Sequence, residues 1–141
     1  MENRSFYNEI LTEHNINPDH KHEIEGACCS LEGVNPSCGD DIWIELNIQD
    51  GIIKDGAFRG NGCAISQASA DIMLDMVIGK TKEEAQKLIN TFLRMISREA
   101  TEEEIESLEE AAALRDIEHM PSRVKCAVLC WHTLEEILKK A

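Results

Sequence analysis

The sequence predicts an α+β fold, with a small antiparallel sheet of about three strands and C-terminal helices packed on one of its faces. Three observations carry that prediction. The strand signals cluster between residues 26 and 58, the segments after residue 63 carry helical spacing, and Asp50-Gly51 joins the two clearest strand runs as a tight hairpin. Strands first and helices afterwards argue for segregated layers rather than alternating βαβ units.

The elements follow in order. Ser5 to Asn15 reads as a helix with Phe6, Ile10, Leu11 and His14 along one side, and Pro18 stops it. Residues 19–25 are polar and read as a loop. Gly26 to Leu31 is a first short strand. Ile42, Ile44, Leu46 and Ile48 alternate with Trp43, Glu45 and Asn47, which predicts a strand with one buried face. Ile52 to Phe58 is the return strand, and Gly60-Asn61-Gly62 is expected to break it. Cys63 to Ile78 places Ile65, Ala68, Ile72 and Met76 on one helical face, ended by Gly79. Thr81-Lys82-Glu83-Glu84 is a capping box opening a helix with Ala85, Leu88, Ile89, Phe92 and Ile96 on one side. Thr101 to Glu104 repeats the box and opens a very acidic third helix. Pro121 marks a break, and Val124, Val128, Trp131 and Leu138 lie at helical spacing in the last helix.

With 141 residues, 43% hydrophobic and 29% charged, the chain reads as one globular domain able to build a core without disulfide staples. No apolar run approaches the roughly 18 residues of a membrane span, and the opening residues lack the apolar stretch of a signal peptide. A cytoplasmic location with reduced thiols is the expectation. A net charge of -13 repels phosphate, so neither nucleic acid nor an anionic membrane is an expected partner; a basic protein surface is. The acidic run Glu102 to Glu110 reads as a solvated face that can also attract such a surface.

Six cysteines are the unusual feature. In a reduced compartment they point to metal or thiol chemistry rather than to a disulfide framework. Cys38 lies in the turn-rich Asn35-Pro36-Ser37-Cys38-Gly39-Asp40, Cys63 begins a helix after a glycine-rich turn, and Cys126 lies in the first turns of the last helix. The last two are thus expected near helix N-termini, where the dipole favours thiolate, the form that binds metal and attacks sulfur. All three are expected at loops or element ends that face solvent. Asp40 can supply a fourth ligand, while Asp41, if it starts a strand, points away. Three thiolates and a carboxylate suit tetrahedral zinc and also suit iron or a [2Fe–2S] cluster, and spacing leaves both open. Arg123 and Lys125 can offset the negative charge or steady a persulfide, or can be solvated helix charges. Cys28 and Cys29, adjacent on the first strand, should point to opposite faces and so cannot join one site. Cys130 reads as a buried small apolar residue, and none of the five histidines has ligand spacing.

Three blocks carry a resemblance over nearly the whole chain: Asn35-Pro36-Ser37-Cys38-Gly39-Asp40; Gly60-Asn61-Gly62-Cys63-Ala64-Ile65-Ser66 with Ala68-Ser69-Ala70; and Arg123-Val124-Lys125-Cys126-Ala127 with Trp131. In this order they resemble the IscU/SufU family, also known as the NifU N-terminal domain. The resemblance implies a SufE/NifU-like fold over 1–141. It also implies a role in iron–sulfur cluster assembly. Scaffolds of the IscU branch assemble a [2Fe–2S] cluster and carry histidine before the third cysteine, whereas the SufU branch carries lysine there and an insertion ahead of it. Lys125 and the acidic helical segment at about 98–119 match the SufU branch.

The same resemblance implies that Cys38, Asp40, Cys63 and Cys126 are zinc ligands and that Cys38 accepts persulfide sulfur. The implied partner is a PLP-dependent, SufS-like cysteine desulfurase. One of its histidines takes over a zinc position and frees Cys38, with Gly39 lending the loop freedom. The implied recipient of the sulfur is a downstream cluster-building scaffold.

Overall fold

The computed structural model describes residues 2–36, 39–119 and 121–141. Helix α1 (Glu2–Ile16) is followed by strands β1 (Cys29–Asn35), β2 (Asp40–Gln49) and β3 (Ile52–Asn61). Helices α2 (Ala64–Val77), α3 (Lys82–Ile96) and α4 (Glu102–Ser107) come next, then a run of 3-10 helix (Glu109–His119) and the closing helix α5 (Pro121–Lys140). The sheet is fully antiparallel in the order β1-β2-β3. Among the described residues, no helix is long and apolar enough to cross a membrane.

The predicted α+β architecture is present, and the alternation in β2 is the reason. Ile42, Ile44 and Leu46 are buried on one face, while Trp43, Glu45 and Asn47 are only partly covered on the other. The apolar face receives α2 and α5. Two glycines allow the close approach: a Cβ at Gly33 of β1 would lie 2.3 Å from Thr133 Oγ1 of α5, and one at Gly56 of β3 would lie 2.9 Å from Leu74 Cδ2 of α2. The turn between β2 and β3 has both Asp50 (φ 55°) and Gly51 (φ 76°) in the left-handed region, as a tight hairpin requires.

Helix α2 is the centre of the molecule. Its Ile72, Met73, Leu74 and Val77 are buried, and so are polar Ser66, Ser69 and Asp71. A single apolar stripe is expected from the sequence, but α2 is covered on several sides, by α1, α5 and β3. The buried Asp71 carboxylate is satisfied from the N-terminal segment, by His14 Nδ1 at 2.6 Å and the His20 backbone N–H at 2.9 Å.

The structure moves three element boundaries. The first strand runs from Cys29 to Asn35 rather than from Gly26 to Leu31, because its ladder to β2 extends to the Asn35–Asp40 pair. Strand β3 continues through Gly60 and Asn61, so the glycine-rich segment does not break it there. Thr101 caps α4 with a full capping box, but α4 ends at Ser107 and the segment goes on as 3-10 turns instead of one α-helix. Glu109 sits at φ 51°, which an α-helix does not allow. The buried positions Ile105, Leu108, Ala111, Leu114 and Ile117 recur every third residue. That period matches three residues per turn, where i and i+3 eclipse on one side.

Candidate metal centre

The centre is built where one end of the sheet meets the starts of two helices. Asp40 opens β2 opposite Asn35, the last residue of β1, so the β1–β2 ladder closes directly beneath the site. Asp40 is 1% exposed. Asp41, next along the strand, is exposed on the other face and opposite Val34, so it turns away as the alternation predicts.

Gly60 and Gly62 bring the third segment in. Gly60 has φ 114°, and a Cβ there would lie 2.2 Å from the Asp41 carbonyl oxygen, so only glycine fits. A Cβ at Gly62 would lie 2.3 Å from Ser66 Oγ and 3.1 Å from Asp40 Oδ1. The chain therefore passes tightly over Asp40 before Cys63, which is the N-cap of α2. Cys63 Sγ accepts the Ser66 backbone N–H at 3.4 Å, one of the amides a helix start leaves unpaired.

Cys126 comes from α5, six residues into the helix, and is fully buried. Cys126 lies in the second turn, within the first turns of the helix as expected, but past the reach of the dipole, which falls off within the first turn. One expectation is corrected: not all the site cysteines face solvent, since Cys126 is covered. Its height along α5 is set by contacts one turn on. Ser69 Oγ of α2 donates to the Ala127 carbonyl at 2.6 Å and accepts Trp131 Nε1–H at 2.9 Å, and Trp131 stacks on Phe92 with ring centroids 4.0 Å apart. These contacts lock α5 against α2.

The outcome is a cluster in which one donor atom each from Asp40, Cys63 and Cys126 lies within 4.8 Å of the other two. Cys38 and Ser37 lie outside the described residues, so the expected fourth ligand is not described. Gly39, beside it, has φ 72°.

Hydrogen bonds aim the donors. The Cys63 backbone N–H donates to Asp40 Oδ1 at 2.9 Å, and Ser66 Oγ lies 3.1 Å from the same oxygen. Among the described residues, Asp40 Oδ2 receives only the long 3.5 Å contact from Asn35 Nδ2, which also reaches Cys126 Sγ at 3.7 Å. A buried carboxylate with one oxygen lightly used, beside two sulfurs, fits a divalent metal. Burial works to raise the Cys63 thiol, but the Ser66 amide, the Ser66 hydroxyl and the Cys126 thiol together bring it below the ordinary thiol range. The charge of Cys63, then a hydrogen bond to Cys126, hold the Arg123 guanidinium above its usual range. Arg123 thus lies against both sulfurs, whereas Lys125 is exposed.

Asn35 and Ser66 are the residues to which sequence reasoning gave no role. Both had a legible signal. Asn35 faces Asp40 if the turn between them is read as a hairpin, and Ser66 is the third residue after an N-cap at Cys63, the position whose amide a cap receives. Cys130 is buried as expected, 3.6 Å from Ser69 Oγ, and burial pushes its thiol up to about 12. Cys28 and Cys29 depart from expectation: their sulfurs are 2.9 Å apart. Cys28 precedes β1, so strand alternation does not separate the pair.

Comparison with known proteins agrees with this architecture. The family model for the NifU-like N terminal domain matches residues 6–127. The chain is 39% identical over 137 residues to the iron–sulfur cluster assembly scaffold protein IscU of Thermotoga maritima, covering 97% of this chain and 95% of that protein. It is 32% identical over 136 residues to the zinc-dependent sulfurtransferase SufU of Bacillus subtilis, covering 96% and 91%. A crystal structure from Fervidobacterium islandicum, described as an iron–sulfur cluster assembly scaffold protein for the SUF system, superposes with a TM-score of 0.86 at 36% identity, covering 92% of this chain and 94% of that one. The chain is therefore a member of the NifU-like N-terminal domain family, the IscU/SufU scaffold proteins of iron–sulfur cluster assembly.

Proposed function

We propose that this protein is a SufU-type sulfur acceptor, which binds zinc through Cys38, Asp40, Cys63 and Cys126 and takes persulfide sulfur from a PLP-dependent cysteine desulfurase on Cys38. The observation that carries this reading is the convergence of Asp40, Cys63 and Cys126, with donor atoms within 4.8 Å of one another. Two sulfurs and a carboxylate from distant segments make a donor set suited to zinc. When bound, zinc keeps the thiolates deprotonated near neutral pH and adds no redox chemistry of its own.

The chain's residues supply the rest. Asn35 and Ser66 fix the Asp40 carboxylate, and Arg123 offsets the negative charge of Cys63 and Cys126. In the transfer, the Cys38 thiolate attacks the outer sulfur of the desulfurase persulfide. A new S–S bond forms at Cys38, the old one breaks, and the desulfurase cysteine leaves as thiolate; the proton stays on the sulfur that moves. A downstream cluster-building scaffold is the recipient. The chain acts as a single domain over 1–141, with residues 98–119 as an acidic helical insertion that favours a basic desulfurase face.

Two features of this chain favour the SufU type over the IscU type: lysine rather than histidine before Cys126, and the 98–119 segment. The rival reading, a scaffold that assembles and hands on a [2Fe–2S] cluster, is favoured by the higher identity to the Thermotoga protein, 39% against 32% for the Bacillus one. Metal analysis and a desulfurase assay separate them. The sulfur-acceptor reading expects about one zinc per chain as purified. It also expects stimulation of a cysteine desulfurase that is lost in Cys38→Ala while the far-ultraviolet spectrum is kept. Purified chain free of zinc, yielding a stable [2Fe–2S] chromophore that transfers to an apo-protein, would replace it with the scaffold reading.

A further inference from the structure

Cys28 and Cys29 lie at the opposite end of β1 from the metal centre. Six residue steps along the strand take Cys29 to Asn35, about 20 Å at strand rise. With sulfurs 2.9 Å apart, one thiol of the pair donates to the other. Their surroundings make the two unequal. Cys28 is exposed, and its Sγ accepts the Ile48 backbone N–H at 3.3 Å; when protonated, it can instead donate to the Leu46 carbonyl at 3.6 Å. The Cys29 thiol, then the Ile48 amide, hold Cys28 below the ordinary thiol range. Cys29 is half-buried, and burial followed by its bond to Cys28 pushes it up to about 11. An accessible thiolate is thus paired with a neighbour that keeps its proton.

Space and charge lie beside the pair. A cavity of about 230 Å³ is lined by both cysteines with Ser30, Leu31, Ile137 and Lys140. The positive charge of Lys82 also bears on Cys29. Two lysines thus lie near the two sulfurs, Lys82 with its Nζ donating to the carbonyl of Ala141, which also lines the cavity, at 3.2 Å.

We propose that Cys28 and Cys29 form a second sulfur site, a vicinal dithiol that undergoes thiol–disulfide exchange with low-molecular-weight, carboxylate-bearing disulfides. The Cys28 thiolate attacks one sulfur of the disulfide, forming a mixed disulfide and expelling one thiolate. Cys29 loses its proton to solvent and attacks Cys28 Sγ, forming the Cys28–Cys29 bond and expelling the second thiolate. The dithiol is oxidised by two electrons, and the small disulfide is reduced to two thiols. Lys140 and Lys82 attract the carboxylates of the incoming molecule. Adjacent Cα atoms are about 3.8 Å apart across a trans peptide, shorter than the roughly 4.4–6.8 Å of ordinary disulfides. The oxidised pair is therefore strained and readily reduced, so the exchange is reversible.

The test uses the full chain as purified and glutathione disulfide as the probe. After exposure, thiols are alkylated and the chain is cut after Glu25 and Glu32, which isolates residues 26–32 with this pair alone. The expected peptide is two hydrogens lighter, unalkylated, and restored by reductant. In Cys29→Ser, glutathione should remain attached at Cys28 at least about tenfold longer than in the unaltered chain. In Cys28→Ser, capture on Cys29 should be at least about tenfold slower. A peptide that stays a dithiol throughout, or Cys28→Ser reacting at the unaltered rate, overturns the proposal. The readout is confined to residues 26–32, so it stands apart from the fate of the metal-centre reading.

Discussion

Cys126 and Cys130 lie one turn apart on the same side of α5, and both are buried, at 0% and 1% exposure. Their surroundings nonetheless differ in polarity. Around Cys126 are the Asn35 amide, the Arg123 guanidinium, Asp40 and the Cys63 thiol. Cys130 donates to the Ser69 hydroxyl inside an apolar core, where burial pushes its thiol up to about 12. Burial thus comes with several polar partners at Cys126 and with few at Cys130. What counts is whether the polar groups that solvate a thiolate were buried with it.

The largest test of this contrast removes the feature both turns depend on. Trp131→Ala deletes a fully buried ring that stacks on Phe92 and donates to Ser69. The expected loss is about 3–5 kcal/mol in denaturant unfolding, with metal binding lost alongside, because α5 no longer holds its height against α2. Stability preserved within 1 kcal/mol would detach the metal-side turn from the core-side turn.

Next in size is Ser66→Ala, which acts on the metal side only. It takes away the hydroxyl 3.1 Å from Asp40 Oδ1 and leaves the amide that caps onto Cys63. On the proposed sulfur-acceptor reading, zinc affinity, measured by chelator competition, should fall about 10–100-fold with the fold intact. Cys130→Ala is the matched change on the core side. It should cost about 1 kcal/mol of stability and leave zinc content unchanged. In the native chain Cys130 should also resist alkylation across the neutral range. If Cys130→Ala lowered zinc content as Ser66→Ala does, the two turns would not be chemically distinct.

The smallest effect lies outside both turns, where His14 ties α1 to Asp71 of α2. Burial opposes protonation of His14, but hydrogen bonds to Asp71 and Glu110 outweigh it, so its pKa is raised above 6.5. Its contribution to stability is then complete below about pH 6.5, the unfolded value, and is lost as pH rises through the higher folded value. Unfolding followed between pH 6 and 8 should show stability declining over that window, and His14→Gln should flatten the decline. A decline unchanged by the substitution would assign it to other groups.

Much of this molecule was legible before folding. The β2 alternation and Asp50-Gly51 gave the hairpin, because side-chain period and turn chemistry act within a few residues. The two capping boxes gave the starts of α3 and α4 for the same reason. The 3-10 run is written in the every-third-residue spacing of Ile105, Leu108, Ala111, Leu114 and Ile117, whereas the capping box at Thr101 speaks only for where a helix starts. Cys28 and Cys29 were misread because alternation was applied to a residue that precedes the strand.

The sequence by itself determined which residues can carry metal and sulfur chemistry and which local elements present them, since both follow from residue type and short-range pattern. Only the tertiary structure decided that Asp40, Cys63 and Cys126 meet, that Arg123 rather than Lys125 faces their sulfurs, and that Asn35 and Ser66 aim the carboxylate. Those facts depend on the height at which α5 lies against α2 and the sheet. That height is set by Ser69, Trp131 and Gly33, contacts between residues up to a hundred positions apart, whose joint effect no local pattern encodes.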